Sequence, residues 1–291
     1  MATYFLLFAY IMYVKFTKEK FTLLDVLIIL ALTFVVAITK IPYALVVGLV
    51  LLIPISKIDF NFGIFRLTGD FIKKYKIVFL ALAAIVVVCA SVMVVKVIPY
   101  IPEGKTFLAA VYAPRMASKL IFETIKAYGG QWLVQMTGSF GWFDTPVALV
   151  FTVFVVANLL LFNLFDYNNT LKQPADKNPF KVIEILYVMV IAAVMFVITI
   201  LSMVGWTLTA YGIDPKELSV ATTADSMANI LAIGGLQGRY FVPAIPLFLV
   251  PYYFPKLSKY IGKINDKTYL YTYYAIMVVY LVIVLLNRYW I

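Results

Sequence analysis

The chain has 291 residues, of which 64% are hydrophobic and 13% are charged. Soluble domains are about half apolar and about a quarter charged, so a soluble fold of this length could not hide so much apolar surface. The sequence has no His and one Cys, which excludes His-based acid–base pairs, Cys/His metal clusters and disulfide frameworks. Any chemistry must use Asp, Glu, Lys, Arg, Tyr or backbone groups.

The formal net charge of +10 does not point to nucleic acid. No basic run alternates with stacking aromatic residues on a polar face, and the Lys and Arg residues sit beside apolar segments instead. That arrangement is typical of the loops between membrane-spanning helices. The composition therefore predicts an all-α, polytopic bundle of transmembrane helices whose first partner is the lipid bilayer.

Eight apolar segments are candidates to cross the membrane, since a crossing helix needs roughly 20 apolar residues. Three of them are short, and the first reads as the trailing part of a helix rather than as a signal peptide. We treat the whole chain, residues 1–291, as a single integral membrane domain. In chain order the segments are residues 3–14, 21–39, 43–55, 77–100, 147–165, 182–210, 241–254 and 269–286.

The distribution of basic residues orients these segments. Most of the 24 Lys and Arg residues lie in one set of alternate loops, and cytoplasmic loops collect basic residues. Both termini are then predicted on the outer side of the membrane. The two largest loops, residues 101–145 and 211–240, fall on the same outer side, and loops of that length are usually functional or disordered. Their apolar composition argues against disorder.

The first outer loop is predicted to be partly helical. Pro114 can open a helix that runs to about Ala127. Its charged residues fall on one face and its large apolar residues on another, as in a helix lying in the membrane interface. The charged face of this helix is either exposed to solvent or binds anionic lipid headgroups. The charged residues are Arg115, Lys119, Glu123 and Lys126, and the apolar ones are Met116, Leu120, Ile121 and Ile125.

A glycine- and tryptophan-containing segment leads from this loop into the next crossing. It reads GSFGWFDTP at residues 138–146. Gly141 permits a tight turn, Asp144 can cap the following helix, and Pro146 suits its first turn. Asp144 is either this structural cap or a functional carboxylate of the outer loop.

The second outer loop ends in the sequence GGLQGRYFVPAIP at residues 234–246. Three glycines in five residues disrupt a helix, and Pro243 and Pro246 start or kink the next one. Arg239 is therefore predicted at a helix N-terminus at the outer edge of the bilayer, where a guanidinium can bind a phosphate. The alternatives are that Arg239 snorkels to lipid headgroups or pairs with an acidic loop residue.

The predicted spans hold few ionisable residues. Carriers driven by protons or ions usually place such residues near mid-membrane. Asp25 and Glu184 instead lie within about a turn of predicted cytoplasmic ends, and the other acidic residues are in loops. A transporter, which needs a polar pathway, is therefore less favoured than a protein that acts at the outer face.

These motifs resemble a family of bacterial membrane proteins, the domain-of-unknown-function 2142 family. Residues 234–243 (GGLQGRYFVP) match its GxQGRYfxP signature. Residues 40–43 (KIPY), followed by an apolar run to Pro54, resemble its K-x-P-Y helix pair, and residues 138–146 resemble its G-x-x-GWxDTP segment. The Gln-Gly-Arg-Tyr block is specific, and the resemblance covers the chain from about Leu6 onward.

The resemblance implies a function. Members look like the C superfamily of glycosyltransferases, which take sugars from polyprenyl-phosphate carriers at the outer face, and they often sit among genes for surface polysaccharides. By that implication Arg239, with Gln237, Gly238 and Tyr240, would hold the donor phosphate. The outer-loop motif residues Gly141, Trp142 and Asp144 would lie nearby. A carboxylate would take the acceptor proton while Arg239 offsets charge on the leaving phosphate.

The chain also departs from the family pattern, because a typical member has further crossings and an acidic, His-containing outer loop before the point where this sequence begins. The expected catalytic acid is therefore missing, and the weak candidates are Asp144, Asp225 and Glu123. Loss of catalysis, or action as a partner of other polysaccharide-assembly membrane proteins, is favoured over relocation of the base. No cofactor is required, although a divalent ion is compatible with the chemistry.

Overall fold

The computed structural model describes residues 1–61, 63, 66–75, 77–78, 114–140, 145–146, 148–170, 180–210, 233–249 and 266–289. Helices make up most of these residues. The chain divides into two compact units. The first comprises Met1–Ala127 and Ala193–Leu236, and the second comprises Tyr128–Ala192 and Gln237–Ile291.

Three apolar helices form the core of the first unit. Helix α1 (Ala2–Phe16) packs against α2 (Leu23–Thr39) and against a 3-10 helix at Leu45–Leu52, which continues the short helix α3 (Ile41–Ala44). The side chains of Leu7, Ile11 and Leu49 are fully buried in this core. Apolar residues on nearly every side of these helices let one face pack inward and leave others exposed, as expected for helices in lipid.

The end of α1 is held by a lysine from a second, three-residue 3-10 helix, Ile55–Lys57. Lys57 Nζ donates to the carbonyl oxygens of Val14, Lys15 and Lys18, at 3.3, 2.8 and 2.6 Å. The last carbonyls of a helix lack partners within the helix, and a cation there also opposes the negative end of the helix dipole. The sequence alone does not pair Lys57 with α1, since 42 positions separate it from Lys15.

A fully buried carboxylate stands at the start of α2. Asp25 Oδ2 accepts hydrogen bonds from the backbone N–H and hydroxyl of Thr22, at 2.8 and 2.7 Å. Its Oδ1 accepts from Tyr10 at 2.6 Å and from Lys18 Nζ at 2.5 Å. Four donors therefore replace the water that Asp25 gives up on burial, and Asp25 ties α1 to the N-terminus of α2.

Two small antiparallel pairings depart from the all-α prediction. Strand β1 (Asp59–Asn61) pairs with β2 (Arg66–Thr68), and α4 (Gly69–Lys74) follows directly. The two-residue strands β3 (Ser139–Phe140) and β4 (Thr145–Pro146) form the second pairing. Gly63, with φ of +79°, provides the reversal between β1 and β2. The described part of the chain is thus mostly helical, with strands only in short connections.

An ion-pair cluster on the first hairpin gives a pH prediction. Arg66 donates to both carboxylate oxygens of Asp59 at 2.6 Å, and Lys20 Nζ lies 2.9 Å from Oδ2. The hydrogen bonds from Arg66, and then those from Lys20, hold the pKa of the Asp59 carboxyl well below its usual value. The pair therefore stabilises the fold above the ordinary Asp pKa of about 3.9, and this contribution fades as the pH falls below it.

The measurement is thermal unfolding of the wild type and of Asp59→Asn between pH 7 and pH 3. The wild type should be the more stable protein at pH 7, and the difference should hold down to about pH 4 and then begin to narrow toward pH 3. A difference that stays constant across this range would contradict the assignment, because the variant cannot titrate at this position.

The remaining helices are longer. Helix α5 spans Pro114–Gly138, α6 spans Leu149–Thr170 and α7 spans Val182–Ala210. The short helix α8 (Ile245–Leu249) and the long helix α9 (Asp266–Tyr289) follow. In the second unit Phe151 of α6 stacks on Tyr280 of α9 with ring centroids 3.8 Å apart, and the Tyr280 hydroxyl accepts a hydrogen bond from Ala148 N at 2.8 Å.

Two described helices are long and apolar enough to cross a membrane, at Val182–Thr207 and Lys267–Arg288. Four further apolar helices are shorter: Ala2–Phe16, Leu23–Thr39, Ile41–Leu52 and Leu149–Leu161. The predicted count of about eight crossings is therefore not confirmed. Residues 79–100 of one predicted crossing lie outside the described residues. The single domain, the outer-loop assignments and the outward termini stay predictions.

Several predicted boundaries need correction. Pro114 opens a helix as predicted, but α5 ends at Gly138 rather than near Ala127. Each glycine at 129 and 130 costs a helix only about 1 kcal/mol, which packing on either side can offset. Pro146 pairs in β4 and α6 begins at Leu149, so the proline does not occupy the first turn of that helix.

Candidate functional site

The glycine-broken segment begins with a tight turn in the first unit. Gly235 has φ of +69°, a left-handed conformation that favours glycine. The N–H of Gly234 donates to Thr207 Oγ1 at 2.9 Å, and the N–H of Ile233 donates to Thr124 Oγ1 at 2.8 Å. The two buried threonine hydroxyls thus accept the N–H groups that the turn cannot satisfy by itself.

The signature residues that follow form a seven-residue 3-10 helix, Gly238–Ala244, in the second unit. Pro243 lies inside this helix, and α8 follows without a break. Arg239 occupies its first turn, as the sequence predicts. A 3-10 helix this short has a small dipole, so any anion binding here depends on the guanidinium itself.

Gly238 is pressed against the backbone of α5. A Cβ atom built on Gly238 would lie 2.2 Å from the carbonyl oxygen of Trp132 and 2.7 Å from its Cα. No side chain fits in that space, so the glycine is required by close backbone approach rather than by its φ angle. Gly238 is itself buried, and it fixes the start of the 3-10 helix on α5.

Two further contacts secure the same junction. The N–H of Gly238 donates to Gln135 Oε1 at 2.6 Å. The rings of Trp132 and Phe241 meet with centroids 5.4 Å apart and an interplanar angle of 55°. Trp132 and Gln135 are three residues apart on α5, hence on one face of it, and together they hold the signature segment at both ends of its first turn.

Arg239 projects from this anchored segment. The residue is exposed, whereas its neighbours Gly238 and Phe241 are buried. Its guanidinium carbon lies 5.9 Å from the centroid of the Tyr240 ring, within the range of a cation–π contact. An arginine held by its backbone and one aromatic ring loses less side-chain entropy when it binds an anion than a fully mobile one would.

Two buried polar atoms on residues that adjoin Gly238 make no hydrogen bond within the described part of the chain. Among the described residues, neither the indole Nε1 of Trp132 nor the amide Oε1 of Gln237 makes a hydrogen bond. Trp132 is only 8% exposed. An unpaired buried donor or acceptor costs roughly 1–3 kcal/mol, and such groups in native proteins are usually paired by water or ligand. The two atoms offer one donor and one acceptor on residues that adjoin Gly238.

Of the other predicted site residues, the structure describes only Glu123. Gly141, Trp142, Asp144 and Asp225 lie outside the described residues. Glu123 is half-buried on α5, in the part of that helix that belongs to the first unit. Gln237, Gly238, Arg239 and Tyr240 are consecutive residues at the start of the 3-10 helix, and their role in binding, like the choice of catalytic acid, stays a prediction. No group of three or more Cys, Asp or Glu side chains that could hold a metal occurs among the described residues.

Sequence reasoning missed the supporting residues on α5. Gln135 carries no local signal, since a lone glutamine on an amphipathic helix looks like a solvated side chain. The partner of Gln135 lies 103 positions away, so only the tertiary contact reveals it. Trp132 offers a weak signal, because a large aromatic residue directly after two glycines invites a packing explanation.

Comparison with known proteins gives one match. The family model described as "Predicted membrane protein (DUF2142)" matches residues 1–248, which include the GGLQGRYFVP segment and the α5 residues that hold it. No curated protein and no solved structure matches the chain. The family match covers most of the sequence, and the apolar helices agree with it. The chain therefore belongs to the DUF2142 family of predicted membrane proteins.

Proposed function

We propose that this protein binds a polyprenyl-phosphate-linked sugar at the outer face of the bacterial cytoplasmic membrane and acts as a glycosyltransferase-like component of cell-surface polysaccharide biosynthesis. The observation that supports the proposal most strongly is the position of Arg239 on an anchored segment. Arg239 is an exposed residue, and its neighbours Gly238 and Phe241 hold the segment against α5. A planar guanidinium can give two parallel hydrogen bonds to a phosphate, and it keeps its charge at any physiological pH.

The unpaired atoms of Trp132 and Gln237 support the sugar part of the proposal. Sugar hydroxyls both donate and accept hydrogen bonds, so a hydroxyl that reached these buried atoms would find a donor on Trp132 and an acceptor on Gln237.

In this scheme the reaction exchanges one bond for another. The oxygen of the acceptor hydroxyl forms a bond to the anomeric carbon, and the bond between that carbon and the phosphate oxygen breaks. The electron pair leaves with the phosphate, whose charge Arg239 offsets, and the acceptor proton passes to a carboxylate. Asp144, Asp225 and Glu123 are the candidates for that carboxylate. Catalysis is thus a second claim, separable from donor binding.

The test of donor binding uses purified protein in detergent and a labelled polyprenyl-phosphate sugar. Arg239→Ala should weaken binding about 10- to 100-fold, since a hydrogen bond to a charged group is worth roughly 1.5–3 kcal/mol. The affinity of Arg239→Lys for the donor should lie between the affinities of the wild type and of Arg239→Ala, because a lysine keeps the charge and loses the planar pair of donors. Arg66→Ala is the matched control, an exposed arginine of the first hairpin, and it should bind like the wild type.

The test of catalysis adds a candidate acceptor to the same preparation. Transfer of the label would support an enzyme, whereas donor binding without transfer would favour the alternative, a non-catalytic partner in a polysaccharide-assembly complex. Co-purification with a glycosyltransferase or a flippase would support that alternative further. Failure of the wild-type protein to bind the donor would remove the proposal in both forms.

A further inference from the structure

The outward face of α5 carries a stripe of cations with an aromatic side chain among them. Arg115, Lys119, Phe122 and Lys126 follow one another at spacings of four, three and four residues. At 3.6 residues per turn they fall within a sector of about 60° and extend over about 16 Å of helix. We call these four residues the basic-aromatic stripe.

The opposite face of the same helix is packed. Ala117 is 3% exposed, Leu120 is 4% and Thr124 is 1%. Thr124 also accepts the hydrogen bond from Ile233 N, which fixes the rotation of α5 within the first unit. The basic-aromatic stripe therefore faces outward because the fold holds it there, and not because the helix is free to turn.

The stripe itself lacks internal partners. The three cationic residues are exposed, and none of them pairs with a carboxylate among the described residues. Phe122 is 66% exposed and the adjacent Ile125 is 47% exposed. Ile125 is thus exposed, whereas Leu120, which is predicted on the same apolar face of the helix, is buried. Two large apolar side chains in water next to three unpaired cations would be an unfavourable surface for a protein in aqueous solution.

We infer that the basic-aromatic stripe binds the surface of an anionic phospholipid leaflet. A bilayer interface accommodates both kinds of side chain at once: the cations meet lipid phosphates, and Phe122 and Ile125 enter the boundary between headgroups and acyl chains. A purely ionic partner such as an acidic protein segment would leave the phenyl ring without a favourable contact. The attraction of a basic residue to an anionic membrane surface is additive, so the three cations act together. This inference does not depend on the Arg239 site.

A fluorescent reporter beside the stripe tests the inference in the full-length protein. The single Cys is replaced by Cys89→Ala, Ser118→Cys is labelled with an environment-sensitive dye, and the protein is placed in nanodiscs. Ser118 is exposed and adjoins the stripe without belonging to it. The emission should shift to the blue in discs that contain phosphatidylglycerol, relative to discs of phosphatidylcholine alone.

Two sets of variants decide the cause of the shift. Removing the three cations together (Arg115→Gln, Lys119→Gln, Lys126→Gln) should abolish the lipid-dependent shift, and Phe122→Ser should reduce it. The matched control removes three exposed lysines elsewhere (Lys74→Gln, Lys181→Gln, Lys267→Gln) and should leave the shift intact. Equal emission in the two kinds of disc, or a shift that survives loss of the three stripe cations, would overturn the inference.

Discussion

Gly238→Ala should destabilise the protein by roughly 1–3 kcal/mol, the usual cost of forcing an extra carbon into a packed site. The added methyl would meet the carbonyl oxygen of Trp132 at 2.2 Å, and that oxygen belongs to the backbone of α5. A flexible side chain could move aside, whereas the helix backbone cannot. The 3-10 helix must then move away from α5, which stretches the 2.6 Å hydrogen bond from Gly238 to Gln135. Donor binding should fall as well, because Arg239 moves with its neighbour.

The control is the same substitution at another glycine of the second unit. Gly130 lies within α5, and a Cβ atom there would meet nothing within 4 Å. Gly130→Ala should therefore stabilise the protein by up to about 1 kcal/mol, the helix propensity difference between the two residues. Unfolding in detergent, followed by tryptophan fluorescence, measures both variants. Two variants of equal stability would show that the close approach of Gly238 to α5 is not present in the native protein.

Asp25→Ala should be more damaging still, by roughly 3–5 kcal/mol, the range measured when one partner of a buried ion pair is removed. The substitution leaves the Tyr10 hydroxyl, the Thr22 N–H and the Lys18 ammonium without their shared acceptor. The Lys18 side chain is 31% exposed, so water can compensate part of the loss and the lower end of that range applies. Asp25→Asn keeps an acceptor oxygen and should be milder.

Asp70→Ala provides the comparison for Asp25→Ala. Asp70 is 94% exposed and lies 3.8 Å from Lys73 in the same helix, so its ion pair contributes little. Denaturant or thermal unfolding of both variants in one detergent gives the comparison directly. If Asp25→Ala unfolded at the same point as Asp70→Ala, the four hydrogen bonds to Asp25 would have no structural role.

Local signals in the sequence predict much of the helical framework. Helix α7 has the predicted bounds, 182–210, because a long apolar run with few breakers leaves little choice in a membrane protein. Pro114 opens α5, and the paired glycines at 234 and 235 form a turn with a left-handed residue. In each case one residue type restricts the backbone by itself, so no knowledge of tertiary contacts is needed.

Features that depend on distant partners were not predictable. The apolar run 43–55 suggested a crossing helix, but it folds as a short α-helix and a 3-10 helix packed against α1. The end of α5 was placed too early, since packing overrides the weak helix propensity of two glycines. The strands β1 and β2 are too short to give an alternating pattern, and the β1–β2 hairpin is marked mainly by charged residues that pair across it.

The candidate site shows the same difference between features that local sequence signals predict and features that depend on distant contacts. The signature points to Gln237, Gly238, Arg239 and Tyr240, which are consecutive in the sequence and begin the 3-10 helix. What the sequence could not show is why Gly238 must be glycine. The reason is the backbone of Trp132 on another helix, 106 positions earlier in a chain with no local sign of the contact.

The most direct test of the proposed function is a map of the wild-type protein in nanodiscs loaded with a polyprenyl-phosphate sugar. Density for the lipid phosphate should lie at hydrogen-bond distance from the Arg239 guanidinium, about 2.7–2.9 Å between nitrogen and oxygen. Density for the sugar should lie next to Trp132 Nε1 and Gln237 Oε1. A map in which Arg239 faces the cytosolic side, or in which protein alone surrounds its guanidinium, would contradict the proposed function.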